Sequence, residues 1–138
     1  MRRKMHLKTL GIAEHNESNW QVQFHEEFFP EFREFPVEVR LEIDALVEML
    51  RVFGPQLGRP RVDTLNGSRH ANMKELRFQA ANGEWRVAFA FDLSRTAILL
   101  VGGNKATKSK KKFYRELIRV ADRRFDRHQW ELARGRKR

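Results

Sequence analysis

The residues best suited to catalysis are basic side chains that recur between residues 69 and 105. Arginine binds two phosphate oxygens through its planar fork, and lysine or arginine stabilises the negative charge of a transition state. A histidine, tyrosine or glutamate beside them could carry protons. Such groups would cleave RNA without a metal, by deprotonating a ribose 2′-OH, stabilising the pentacoordinate phosphate and protonating the leaving 5′ oxygen. The candidates are Arg69, His70, Lys74, Arg77, Arg86 and Lys105.

The same residues also suit structural roles. Arg77 and Arg86 could be solvent-face strand residues paired with neighbouring glutamates, and His70 could cap a turn. Tyr114, the only tyrosine, falls on the apolar stripe of a helical segment, which favours a core position over a catalytic one.

Several other chemistries lack their sequence patterns. The chain has no cysteine, which excludes thiolate metal sites, a cysteine nucleophile and disulfides. Its five histidines show no metal-ligand spacing, and no Gly-x-Ser-x-Gly elbow or full phosphate loop is present. We therefore predict that the protein uses neither a metal nor a cofactor.

Charge is distributed unevenly along the chain. The net charge of the 138 residues is +10, yet residues 1–104 are neutral in sum and residues 105–138 carry the whole excess. Ten acids fall in residues 14–48, and four of them line the side of a predicted amphipathic helix that is expected to face solvent. A basic surface concentrates polyanions, so nucleic-acid binding is expected. The predicted RNA contacts are Arg69, Lys74, Lys108, Lys110 and Lys111.

The helical segments follow from apolar spacing. Phenylalanines cluster within residues 26–35, and apolar residues recur at helical intervals from Pro36 to Phe53, where Gly54-Pro55 ends the second helix. A long helix with a basic surface is predicted over residues 109–132.

The strand-like segments have period-two alternation. One short strand is predicted over residues 19–24, and three runs follow over 73–80, 84–93 and 96–101. Asn82-Gly83 is a two-residue hairpin signal, and Gly102-Gly103-Asn104 is expected to end the last strand. The element order predicts an α+β fold, in which a small antiparallel meander packs against two N-terminal helices and one C-terminal helix.

The length fits a single domain. We divide the chain into a flexible basic leader over residues 1–18, one domain over 19–133 and a basic tail over 134–138. No apolar run reaches the roughly 18 residues of a membrane-spanning helix, and polar residues interrupt any signal-peptide core. A cytoplasmic location and no membrane contact are expected.

One stretch of the sequence resembles a known family. Gly67-Ser68-Arg69-His70-Ala71-Asn72-Met73-Lys74-Glu75-Leu76-Arg77, followed by Trp85-Arg86, is similar to the RelE/ParE toxin superfamily, in particular its HigB-like, phage-derived Gp49-like branch. The similarity runs from about residue 20 to residue 128. It implies a RelE-like fold and the toxin of a bacterial type II toxin–antitoxin pair, with metal-independent cleavage of mRNA in the ribosomal A site.

The resemblance also implies partners and residue roles. The partners would be a HigA-like helix-turn-helix antitoxin, the ribosome and mRNA, with operator DNA contacted only through the antitoxin. Arg86 matches the strand arginine that family ribonucleases use on the phosphate, Arg77 matches a basic strand position, and Lys105 falls in a basic turn. Glu75 stands where RelE has lysine, so Glu75 or His70 is expected to act as the base.

Two other functions remain open from the sequence. A ParE-like toxin would inhibit DNA gyrase through protein contact and would not need Arg86 or Lys105. A catalytically inactive nucleic-acid-binding module would bind with a steep salt dependence and cleave nothing.

Overall fold

The computed structural model describes residues 20–135. The predicted leader over residues 1–18 and the end of the predicted tail lie outside the described residues. The elements, in chain order, are β1 (Gln21–Phe24), α1 (Phe28–Arg33), α2 (Val37–Phe53), β2 (Val62–Thr64), β3 (Lys74–Ala80), β4 (Gly83–Phe91), β5 (Thr96–Asn104) and α3 (Lys110–Ala133). Short 3-10 turns follow α2 and β5, at Gly54–Gln56 and Lys105–Thr107.

The strands form one five-stranded sheet in the order β1-β5-β4-β3-β2. Strands β2 to β5 pair antiparallel, which confirms the expected meander. Strand β1 differs from that expectation because it pairs parallel with β5, with Gln21 opposite Thr96. A parallel partner needs a long crossover, and here the chain between β1 and β5 contains the rest of the sheet and two helices.

Helices cover both faces of the sheet and create two cores. Helices α1 and α2 bury residues such as Phe28 and Ile43 against one face, which includes Val87 and Phe89. Helix α3 packs against the other face, which includes Ala88. Successive residues of β4 therefore enter opposite cores, as strand alternation requires. The α+β class and its two N-terminal helices and one C-terminal helix are confirmed.

Two turn predictions were wrong in position. The glycines Gly102 and Gly103 do not end the third strand but lie inside β5. A Cβ on Gly102 would come within 3.0 Å of Val87 Cγ2, and one on Gly103 within 3.2 Å of Phe113, so close packing explains both glycines. The β3–β4 hairpin loop is Ala81-Asn82 rather than Asn82-Gly83, and both of its residues have positive φ.

No helix among residues 20–135 is long and apolar enough to cross a membrane. The long α3 begins at the predicted place, because the Ser109 side chain caps it by accepting a hydrogen bond from the Lys112 amide at 3.2 Å. This cap fixes the first turns of α3 beside the sheet, where the candidate site lies.

Candidate functional site

A polar cavity of about 300 Å³ opens between the start of α3 and the strands β2, β3 and β4. Four cationic side chains and two carboxylates surround it, so its wall favours an anion over a cation. The lining residues are Asp63, Thr64, Leu65, Asn66, Glu75, Arg77, Arg86, Lys105, Lys110 and Tyr114. Glu75 and Arg77 lie on the same face of β3, and Arg86 lies directly across from Arg77 on β4.

Tyr114 joins the helix to the two strands. Its hydroxyl donates a hydrogen bond to Glu75 Oε1 at 2.9 Å and accepts one from Arg86 Nε at 3.1 Å. The residue is half-buried in the second turn of α3, and its ring packs edge-on against Phe113. A phenol between a carboxylate and a guanidinium can hold both groups in place and can move a proton between them.

Arg86 is buried, and its side chain is only 5% exposed. Besides Tyr114, it donates to the Trp85 carbonyl at 2.9 Å, and it lies 3.6 Å from Glu84 Oε1 and 3.9 Å from Glu75 Oε1. These partners engage all three nitrogens of its guanidinium group. The Arg86 guanidinium is therefore engaged with the Tyr114 phenol, a backbone carbonyl and two glutamates.

Arg77 is the accessible arginine of the cavity, with 37% of its side chain exposed. Its Nη1 lies 3.3 Å from Asp63 and 3.8 Å from Glu75. Lys105, in the turn after β5, and Lys110, the first residue of α3, add two ammonium groups to the lining. These three cations stand where an incoming phosphate would meet them.

Burial changes the proton affinities in the cavity. Desolvation raises the pKa of Glu75 above its ordinary value, although Tyr114, Arg77 and Arg86 work in the opposite direction. Desolvation and the neighbouring Glu75 also raise the pKa of Tyr114, so the phenol stays protonated at neutral pH. A carboxylate with a raised pKa is suited to act as a general base.

Comparison with known protein families identifies the family of this chain. Residues 30–126, which include the whole cavity lining, match the family described as phage derived protein Gp49-like. The chain belongs to this Gp49-like family. Among the described residues of this family member, no group of three or more histidine, aspartate or glutamate side chains could hold a metal ion.

Two proteins of Mycobacterium tuberculosis (strain ATCC 25618 / H37Rv) resemble the Gp49-like chain. It is 49% identical over 85 residues to "Putative toxin HigB2", an overlap of 61% of this chain and 42% of that protein. It is 46% identical over 82 residues to "Putative toxin HigB3", an overlap of 59% of this chain and 69% of that protein. The chain thus spans less than half the length of the first of these relatives.

The fold resembles that of a solved toxin. A mutant of the E. coli toxin RelE in the free state superposes with a TM-score of 0.53, covering 73% of this chain and 96% of that one. Because the sequence identity is 13%, this likeness shows that the Gp49-like chain has a RelE-like fold.

The cavity contains some of the residues predicted from the sequence but not others. Glu75, Arg77, Arg86, Lys105 and Lys110 line it. His70 and Arg69 are instead bound to Asp126 on α3. These two side chains are not brought to the strand cations, although the sequence grouped them there.

The three other predicted RNA contacts also lie away from the cavity. Strand alternation places Lys74 on the face opposite Glu75. Lys108 forms an ion pair with Glu116 at 2.8 Å and borders a separate cavity beside β5. Lys111 is exposed on α3.

Sequence reasoning favoured a core position for Tyr114 over a site role, and it did not name Asp63. The position of Tyr114 on the apolar stripe of the helix favoured the core. Tyr114 does pack against that core, but it is only partly buried. Its hydroxyl continues past the core to Glu75 and Arg86. One signal in the sequence could have indicated this role. A tyrosine hydroxyl usually finds a hydrogen-bond partner when it is buried, and Tyr114 lies near the capped start of a helix.

Proposed function

We propose that this chain is the toxin of a type II toxin–antitoxin pair and that its cavity is a metal-independent endoribonuclease centre acting on ribosome-bound mRNA. The observation that carries the proposal is the Glu75–Tyr114–Arg86 cluster at the edge of a cationic cavity. The names of the two relatives and the resemblance of residues 67–77 to HigB-like toxins support the toxin role.

In the proposed reaction, Glu75 takes the proton of a ribose 2′-OH. The freed oxygen attacks the adjacent phosphorus, and the bond to the 5′ oxygen of the next nucleotide breaks. This leaves a 2′,3′-cyclic phosphate, and an ammonium group of the cavity, Lys105 or Lys110, supplies a proton to the departing oxygen. Arg77 binds the non-bridging oxygens, where a bidentate fork meets the growing charge.

Tyr114 and Arg86 have supporting roles in this scheme. The Tyr114 hydroxyl and the Arg86 guanidinium fix the Glu75 carboxylate, and both oppose the rise in its pKa that desolvation causes. His70, the other base expected from the sequence, is engaged with Asp126 and is not used.

The proposed partners follow from the toxin role. A HigA-like helix-turn-helix antitoxin would neutralise the chain and contact operator DNA, and the ribosome would present mRNA to the cavity in the cytoplasm. The basic surface of α3 would bind ribosomal RNA backbone in a salt-dependent manner.

Expression without an antitoxin in bacteria tests the activity. We expect growth arrest and new mRNA 5′ ends in phase with codons, both abolished by Glu75→Gln. Glu38→Gln is the matched control, because Glu38 is an exposed carboxylate on α2, on the other side of the sheet. Gyrase-dependent DNA breaks would support a ParE-like toxin instead. Normal growth with salt-dependent RNA binding and no cleavage would support an inactive binding module.

A further inference from the structure

One face of α3 carries four residues spaced by one helical turn. Tyr114, Ile118, Asp122 and Asp126 stand at i, i+4, i+8 and i+12, so they form a single row along the helix. Tyr114 enters the candidate site. The other three point toward the loop between β2 and β3.

Asp122 fixes that loop through two hydrogen bonds. It accepts from Ser68 Oγ at 2.5 Å and from the Arg69 backbone amide at 3.2 Å, and it is buried. One turn earlier, Ile118 lies against Gly67, where a Cβ would meet Ile118 Cδ1 at 3.2 Å. Gly67 also has a φ of +103°, which other residues rarely adopt.

Asp126 holds the same loop one turn further along. It pairs with the Arg69 guanidinium, and His70 Nε2 lies 2.7 Å from its Oδ1. Although partial desolvation opposes it, hydrogen bonding from Arg69 and His70 keeps the pKa of Asp126 below its usual value. The His70 ring also meets Phe125 edge-on at 5.1 Å.

The loop is continuous with the strands that form the cavity. Asp63 on β2 lies a few residues before it, and Glu75 on β3 a few residues after it. Whatever fixes α3 to this loop therefore also fixes the Tyr114 hydroxyl relative to the Glu75 carboxylate.

We propose that Ser68, Arg69 and His70 form a positioning clamp, which holds the Asp122 and Asp126 side of α3 and so sets the place of Tyr114. They are positioning residues rather than RNA contacts or proton carriers. The clamp extends the proposed nuclease function, but its structural part does not depend on that function.

The single tyrosine provides a test without RNA. Ionisation of Tyr114 can be followed by the ultraviolet absorbance of the phenolate, because no other tyrosine contributes. In folded Ser68→Ala and Asp122→Asn variants we expect the titration to move from its raised position toward the ordinary tyrosine value of about 10. Ser68→Thr, which keeps the hydroxyl, should restore the wild-type titration.

Glu116→Gln is the control for charge. It removes a carboxylate from the same helix, closer to Tyr114 in sequence than Asp122 is, and its partner is Lys108 rather than the loop. If loss of negative charge alone moved the tyrosine titration, Glu116→Gln would move it as much as Asp122→Asn does. We expect it to have little effect.

A cleavage assay on ribosome-bound mRNA completes the test. The clamp predicts that Ser68→Ala lowers kcat by about tenfold or more with little change in KM, since the chemistry is misaligned while the cations remain. His70→Gln should shift the tyrosine titration and kcat together. Loss of cleavage with an unmoved tyrosine would show direct catalysis by His70 and would overturn the clamp for that residue.

The two proposals fail in different ways. If wild-type protein cleaves nothing, the nuclease proposal fails, while a shifted tyrosine in the folded variants still supports the clamp. If Ser68→Ala and Asp122→Asn are folded and keep the wild-type titration, the clamp is wrong whatever the activity.

Discussion

Arg77 and Arg86 lie directly opposite each other on β3 and β4. Two like charges in such a cross-strand pair repel, so their neighbours must offset the repulsion. Glu75 does so for both, because its carboxylate oxygens lie 3.8 Å from Arg77 and 3.9 Å from Arg86. The two arginines differ in access, since 37% of the Arg77 side chain is exposed but only 5% of that of Arg86.

This difference in access predicts different losses for the two arginines. We expect Arg77→Ala to weaken RNA binding and raise KM several-fold, with a change in stability below about 1 kcal/mol, since its ion pairs are partly exposed. Arg86→Ala should lower the free energy of unfolding by about 1–3 kcal/mol, because it removes the buried hydrogen bonds that Arg86 donates to Tyr114 and to the Trp85 carbonyl. Urea titrations followed by tryptophan fluorescence, with steady-state cleavage, would measure both.

Lysine substitutions separate charge from geometry at the same two positions. Arg77→Lys keeps a cation at the cavity and should retain most RNA binding. Arg86→Lys keeps the charge but cannot reach Tyr114, Trp85 and Glu84 at once, so kcat should fall. Equal behaviour of the two lysine variants would contradict the division of roles.

The ionised Glu75 carboxylate, which the proposed reaction needs, is predicted to lower the stability of the fold at neutral pH. Burial raises its pKa in the folded state above the ordinary 4.5, so folding favours the protonated form. Its favourable contribution is therefore complete below the unfolded pKa and is lost as pH rises through the folded pKa. At neutral pH, Glu75→Gln should increase the free energy of unfolding, and this gain should vanish in acid.

The cleavage rate should show the same titration. If Glu75 is the base, kcat falls as the carboxylate is protonated, and the raised pKa places this fall above the usual range for glutamate. Denaturant unfolding at several pH values checks the predicted stability of Glu75→Gln, and a pH–rate profile checks the predicted fall in kcat. Destabilisation by Glu75→Gln at neutral pH would show that the ion pairs to Arg77 and Arg86 outweigh desolvation.

The sequence predicted the elements well because their signals are local. The apolar period of α2, the Ser109 cap of α3 and the alternation of β4 each depend on neighbouring residues. The glycines of β5 were read as a break because a local rule takes Gly-Gly as a turn. They lie within a strand, and they are glycines because Val87 on β4 and Phe113 on α3 approach too closely for a side chain.

The candidate site was predicted only in part for a related reason. Arg86 and Arg77 were found because the hairpin that pairs them is local. The place of His70 and the contact of Tyr114 with Glu75 depend on how α3 lies across the sheet, 39 residues or more away in sequence. No period or motif within one segment encodes that placement.

Tyr114→Phe should isolate the phenol from the rest of the cavity. The ring is retained, so the edge-on contact with Phe113 and the fold should persist, while Glu75 and Arg86 each lose a hydrogen bond. We expect kcat to fall by about 10²-fold, as for a misplaced reacting group, with RNA affinity nearly unchanged. Filter binding measures the RNA affinity, and single-turnover cleavage measures the rate of the chemical step. A loss of affinity with an unchanged rate would show that Tyr114 contributes to RNA binding instead.

Arg124 joins the helices on the two faces of the sheet. From α3 it binds both carboxylate oxygens of Glu31 on α1, at 2.9 and 2.6 Å, and it donates to the Leu100 carbonyl of β5 at 2.7 Å. Its side chain is 7% exposed. Hydrogen bonding to Glu31 raises its pKa further, so it is always charged.

Arg124→Ala should therefore lower the free energy of unfolding by about 1–3 kcal/mol, because the buried guanidinium no longer donates to the Leu100 carbonyl or to the half-exposed Glu31 carboxylate. Arg123→Ala is the matched control, because the neighbouring arginine is 56% exposed and lies 3.9 Å from Glu27, a geometry worth about 1 kcal/mol or less. Urea denaturation of both variants would measure the two losses in free energy of unfolding. Similar losses at the two positions would mean that the bidentate contact with Glu31 adds little to the docking of α3, and that the apolar core alone holds the helix.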